Sequence, residues 1–119
     1  DIVSLHVPLT EATQRLVDAA VLSRFKPGAI LVNTSRGAVV DTNALTVAMQ
    51  AGRLGGAALD VVDPEPLPAD HPLFAIGSCL LTPHVAARTH EGLRRMFGIV
   101  DAVLARLRET ASGTSARGT

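Results

Sequence analysis

The sequence predicts an α/β domain built on a parallel β-sheet covered by helices. Three observations predict it. Short apolar runs of strand length alternate with helical patterns along the first hundred or so residues, the order that threads a parallel sheet. The run at 29–32 is continuously apolar, as strands of parallel sheets are. The chemically useful polar residues (His6, Asn33 through Arg36, Asp60 and His84) fall at the ends of those runs. Those positions are the carboxyl ends of strands, where open parallel sheets bind ligands.

The elements follow in order. Residues 2–6 are a short apolar strand that Pro8 stops, and residues 9–13 are a polar loop. Asp18 caps a short helix that runs to about Phe25, and Lys26-Pro27-Gly28 is a turn. Residues 29–32 are the second strand, and residues 33–37 are a polar loop at its end. Asp41 caps a second helix over 42–51, with Leu45, Ala48 and Met49 at helical spacing and Gly52 where a helix stop belongs. Residues 54–61 give the third strand. Pro64, Pro66, Pro68 and Pro72 make 63–72 an extended connection, because proline breaks helix and sheet interiors alike. Residues 78–81 are the fourth strand, followed by Thr82-Pro83-His84. Residues 89–107 form a long amphipathic helix with Leu93, Met96, Phe97, Val100, Val103, Leu104 and Leu107 on one side. The organisation expected is one sheet unit over 1–87, the helix over 88–108 leading away from it, and a disordered tail over 109–119.

The bulk composition narrows the partners. Of 119 residues, 47% are hydrophobic and 18% charged, the profile of a globular protein. Eleven basic residues balance eleven acidic ones, which removes the electrostatic reason to expect nucleic acid or an anionic membrane. With 3% aromatic residues and no Trp or Tyr, base-stacking surfaces are not expected either. A single cysteine, Cys79, rules out an internal disulfide; it is expected to be a buried strand residue in a cytoplasmic, reducing setting. No apolar run approaches the roughly 20 residues a membrane helix needs. No His/Cys/Asp cluster has metal-ligand spacing, so no metal site is expected. The chain opens on Asp1 inside a strand pattern with no lead-in, which reads as a fragment.

Three side chains carry the candidate chemistry. Arg36 offers a planar fork that matches a carboxylate, and its plain reading is a surface arginine paired with a neighbour such as Asp41. His84 follows a strand and a proline, and an imidazole there can donate and accept a proton near neutral pH; its plain reading is a satisfied structural histidine. Glu65 stands between two prolines. A carboxylate so placed can orient an imidazole and favour its protonated form, while its plain reading is a solvated loop residue. Spacing alone does not bring Glu65 to His84. His71 and His90 read as ordinary loop and helix-start residues.

Taken in order, the segments Leu5-His6-Val7-Pro8-Leu9-Thr10, Asn33-Thr34-Ser35-Arg36-Gly37, Gly56-Ala57-Ala58-Leu59-Asp60-Val61, Pro64-Glu65-Pro66-Leu67 and Thr82-Pro83-His84-Val85-Ala86 resemble the D-isomer-specific 2-hydroxyacid dehydrogenases. The likeness covers about residues 1–107. It implies the second half of a Rossmann-type doubly wound sheet, followed by a long C-terminal helix. It implies hydride transfer between NAD(H) and C2 of a D-2-hydroxy or 2-oxo acid, with Arg36 holding the substrate, His84 as acid/base and Glu65 as its partner. It places Val7, Thr34, Ser35, Arg36, Asp60, His84 and Ala87 along the dinucleotide, with Asp60 near the carboxamide. It also implies a homodimer through this domain, and leans weakly towards the glyoxylate/hydroxypyruvate and phosphoglycerate dehydrogenase-like branches.

Two departures accompany the likeness. The sequence has no Gly-x-Gly-x-x-Gly, so the pyrophosphate-binding half is absent and the fragment alone is expected to be inactive. The residue that separates NAD from NADP lies outside these residues, so NADP stays open. The family's usual ending is replaced by residues 110–119. The alternative reading is a non-enzymatic NAD(H)-sensing, corepressor-like binding module on the same fold. A formate-oxidising enzyme fits less well, because a glutamate at position 65 suits proton transfer to a carbonyl oxygen.

Overall fold

Four short strands, β1 (Ile2–Leu5), β2 (Ile30–Asn33), β3 (Gly56–Leu59) and β4 (Cys79–Leu81), form one parallel sheet in the order β1-β2-β3-β4. The computed structural model describes residues 1–114 and divides into two compact units, Asp1–Ala86 and the residues from Ala87 onward. Leu31 stands beside Val3 on one side and Ala57 on the other, and Asn33 stands between Leu5 and Leu59. This register brings the carboxyl ends of the first three strands level, so His6, Thr34 and Asp60 follow them along one edge of the sheet.

Two helices pack together in the first unit: α1 (Ala19–Ser23) and α2 (Thr42–Gln50). Both start where an aspartate precedes an apolar run. Asp18 accepts the Val21 amide at 2.8 Å and Asp41 the Ala44 amide at 3.0 Å, each satisfying a helix donor that has no partner within the helix. α1 is shorter than the sequence predicts, ending at Ser23 instead of Phe25, and Gly52 at φ +66° terminates α2 as expected. Leu22 of α1 and Leu45 and Met49 of α2 join Leu5, Leu31, Ala57 and Leu59 of the strands in one core with Val39 and Leu73.

The first, third and fourth strands are shorter than predicted, and the second is shifted by one residue, from 29–32 to 30–33. Of residues 54–61 only Gly56–Leu59 lie in the ladder; Leu54 and Val61 are buried outside it, and Asp60 follows its carboxyl end. The opposite strand face carries Ile2, Ile30 and Leu80 at 68%, 39% and 63% exposure, so within this unit the apolar strands are covered on one face only. Cys79 is a strand residue but half-buried, because β4 is an edge strand; burial raises its thiol pKa. The 63–72 connection is irregular, as its prolines require, and passes into a 3-10 turn at Pro72–Ala75. His71, expected to be an ordinary loop residue, caps that turn by accepting the Leu73 amide at 3.3 Å.

The second unit contains α3 (His90–Thr114). The helix begins one residue later than predicted and continues through the first part of the segment expected to be a disordered tail. No proline or glycine interrupts residues 99–112, so the sequence supplies no stop before Gly113. The rest of the predicted tail, residues 115–119, lies outside the described residues. Among the described residues no helix is long and apolar enough to cross a membrane.

Candidate active site

The loop after β2 is shaped by a buried amide. Asn33 is fully buried, and its Oδ1 accepts both the Ser35 amide at 3.0 Å and the Ser35 hydroxyl at 2.8 Å. Its Nδ2 donates to the Arg36 carbonyl at 3.0 Å. An asparagine bonding to the backbone two and three residues on imposes a tight turn, and here it swings Arg36 out to the surface. Arg36 is exposed and donates from Nη1 to the Ser35 carbonyl at 2.7 Å. Among the described residues no ion pair joins it to Asp41, its plain partner from the sequence.

The next residue locks this loop onto the segment that carries Glu65. Gly37 is buried, and a Cβ placed there would lie 1.9 Å from the Val62 carbonyl oxygen. Only glycine permits two backbones to approach so closely. Thr42 adds a second tie by donating its hydroxyl to the Asp63 carbonyl at 2.7 Å.

Asp60, at the end of β3, is buried at 6% exposure. Its amide donates to the Asn33 carbonyl at 2.9 Å, which joins the two strand ends. Its Oδ1 accepts the Thr82 hydroxyl at 2.6 Å and the Val85 amide at 2.8 Å, and its Oδ2 accepts the Ala86 amide at 2.8 Å. Burial alone would push this carboxyl up. The bonds from Thr82, Ala86 and Val85, together with the nearby His84, outweigh that and hold it below the ordinary carboxylate value.

His84 lies inside the loop that Asp60 gathers. Its backbone is left-handed, φ +55°, a conformation uncommon outside glycine. Its Nδ1 meets Glu65 Oε1 at 2.9 Å. The two side chains are about half-exposed, 50% and 43%, so the pair is open to a ligand on one side. With Nδ1 engaged by the carboxylate, Nε2 is the nitrogen left for another partner.

Two clefts border these groups. One, of about 530 Å³, is lined by His6, Val7 and Pro8 after β1 and by Thr34, Ser35 and Arg36 after β2. The other, of about 360 Å³, is mostly apolar and runs past Glu65 between Leu67, Phe74 and Pro83. The structure therefore joins Glu65 to His84 directly, Asp60 to the His84 loop, and the Arg36 loop to Asp60 through Asn33. No hydrogen bond links Arg36 to Glu65 or His84 among the described residues. Ala87 begins the second unit.

The sequence places Asn33 among the polar residues at a strand end without giving it a role, and gives Thr82 none. The signal for Asn33 was present, an asparagine at a strand end with a serine two residues on, the pattern of an Asx turn. Thr82 had no comparable signal, because its partner lies twenty-two residues away.

Comparisons with known proteins show the family and the fold. Residues 1–86 match the family described as D-isomer specific 2-hydroxyacid dehydrogenase, NAD binding domain. The chain is 48% identical over 99 residues to the (S)-sulfolactate dehydrogenase of Chromohalobacter salexigens, covering 83% of this chain and 32% of that protein. It is 50% identical over 96 residues to the glyoxylate reductase of Thermofilum pendens, covering 81% and 28%. The D-lactate dehydrogenase of Aquifex aeolicus, solved with NAD and lactic acid, superposes with a TM-score of 0.77 at 32% identity, covering 94% of this chain and 38% of that one. The chain thus spans about a third of the length of these relatives. A parallel sheet whose strand ends carry this arginine loop and this histidine–glutamate pair, matched over residues 1–86, belongs to the NAD-binding domain of the D-isomer specific 2-hydroxyacid dehydrogenase family.

Proposed function

We propose that the protein reduces a 2-oxo acid to a D-2-hydroxy acid, and runs the reverse oxidation, with His84 as the proton carrier. The observation that carries this reading is the 2.9 Å contact between His84 Nδ1 and Glu65 Oε1 beside an open cleft. A carboxylate on one ring nitrogen fixes the tautomer and leaves Nε2 to serve the substrate.

The residues suit a nicotinamide dinucleotide. Val7 and Pro8 give the first cleft an apolar wall, and the Thr34 and Ser35 hydroxyls and Arg36 give it donors. Such a mixed lining fits a ligand with rings, ribose hydroxyls and phosphates. When bound, the cofactor supplies the hydride chemistry. Arg36 holds the substrate carboxylate through its guanidinium fork, which fixes C2 in the line of reaction. In the reducing direction protonated His84 donates from Nε2 to the carbonyl oxygen, and Glu65 compensates its charge until the proton leaves. In the oxidising direction neutral His84 takes the hydroxyl proton. Asp60 holds the His84 loop, and its place beside that loop also suits the carboxamide contact expected of it. The reading carries with it a homodimer through this domain, which analytical ultracentrifugation checks.

The test is oxidation of NADH and of NADPH by the intact protein, followed at 340 nm with glyoxylate, hydroxypyruvate, pyruvate and bulkier 2-oxo acids. Turnover on any of them supports the reading and names the substrate and cofactor. Cofactor binding with no turnover on the whole panel overturns it in favour of a dinucleotide-sensing module.

A further inference from the structure

His84 adopts a left-handed backbone although a proline precedes it and a β-branched valine follows it. Such a conformation is unfavourable outside glycine and persists only where the surroundings impose it. The contacts that impose it come from both sides of the residue. Before it, Thr82 is fixed by its own amide, which donates to the Leu59 carbonyl at 3.0 Å, and its carbonyl accepts the His84 amide at 3.0 Å. After it, the Val85 and Ala86 amides are taken by the Asp60 carboxylate.

The Thr82 hydroxyl closes this arrangement. It donates at 2.6 Å to Asp60 Oδ1, the same oxygen that accepts the Val85 amide at 2.8 Å. One carboxylate oxygen therefore holds groups on either side of His84, and the chain between them has little choice of path. The hydroxyl also sets the rotation of the carboxylate, so that Oδ2 faces Ala86. We propose that Thr82 is a positioning residue for the acid–base step: by orienting Asp60 it fixes the left-handed turn that aims His84 at Glu65. This rests on the functional reading above, and it assigns a role to a side chain that touches neither Glu65 nor the His84 ring among the described contacts.

Thr82→Val keeps the shape and removes the donor, whereas Thr82→Ser restores the donor without the methyl. In the intact protein, T82V is expected to lower kcat about tenfold or more with KM within about twofold, the scale of a lost bond to a charged group. T82S is expected to recover most of that rate. A structural readout runs beside the activity. By NMR, the Val85 and Ala86 amides should exchange faster in T82V and at the wild-type rate in T82S. Should T82V not fold, Thr82→Ala takes its place with the same expectations. The proposal is overturned if T82V retains more than about half of the wild-type kcat, if T82S falls as far as T82V, or if the amide exchange of Val85 and Ala86 does not change. The two levels fail separately. Full turnover in His84→Ala would sink the functional reading, while the amide exchange would still decide whether Thr82 holds the loop.

Discussion

Replacing Asp60 with asparagine keeps the side chain's shape and removes its charge. The carboxylate accepts three hydrogen bonds, two at Oδ1 and one at Oδ2. A carboxamide has a single acceptor oxygen, and its NH2 group must face at least one donor. With the oxygen kept at Oδ1, the NH2 meets the Ala86 N–H, and that buried donor loses its acceptor at a cost of about 1–3 kcal/mol. The bonds from Thr82 and Val85 survive but become neutral, each weaker by roughly half of a charge-assisted bond, or about 1 kcal/mol. The expected loss is about 3–5 kcal/mol, which moves a urea midpoint down by about 1–5 M for ordinary slopes. The pH dependence gives a second check. Asp60 is held below the ordinary carboxylate value when folded, so its contribution is fully present above the unfolded pKa. It fades as the pH falls through the folded value, and the gap between wild type and D60N should narrow over that acid range. A D60N midpoint within about 0.3 M of wild type at pH 7 would refute the reasoning.

Two further outcomes follow from the geometry. Gly37→Ala places a Cβ 1.9 Å from the Val62 carbonyl oxygen, so the two backbones must separate; stability should fall by about 1–3 kcal/mol, read by thermal unfolding. Arg36→Lys keeps the charge and loses the planar fork, so KM for the 2-oxo acid should rise about tenfold or more in steady-state assays, with the fold intact by circular dichroism.

Much of this fold was legible because its signals are local. Asp18 and Asp41 stand directly before apolar runs, and both cap helices as their positions foretell. Strand existence was legible and strand length was not: Leu54 and Val61 are as apolar as the strand between them, yet they pack into the core from outside the ladder. The exposure of Ile2, Ile30 and Leu80 on one face of the sheet depends on what else covers it, which no local pattern encodes. The length of α3 is not legible because the residues after Leu107 are polar like a tail, yet none between Leu107 and Gly113 breaks a helix.

The candidate site divides in the same way. Arg36, Glu65 and His84 stood out by type and by place after strands or between prolines. Their assembly did not, since Glu65 reaches His84 across nineteen residues. That meeting depends on the approach of Gly37 to Val62 and on the left-handed turn at His84, which are tertiary facts. The sequence places Asp60 towards the cofactor; its observed hydrogen bonds hold the loop that carries His84.

The most direct test of the central claim is the effect of His84→Ala on the intact protein with its best 2-oxo acid. The account predicts that kcat falls by about 10²–10⁴ while NADH affinity falls by far less, because the proton donor is lost while the cleft lined by Val7, Thr34, Ser35 and Arg36 is left in place. A variant that keeps more than about a tenth of the wild-type kcat would contradict the assignment of His84 as the group that moves the proton.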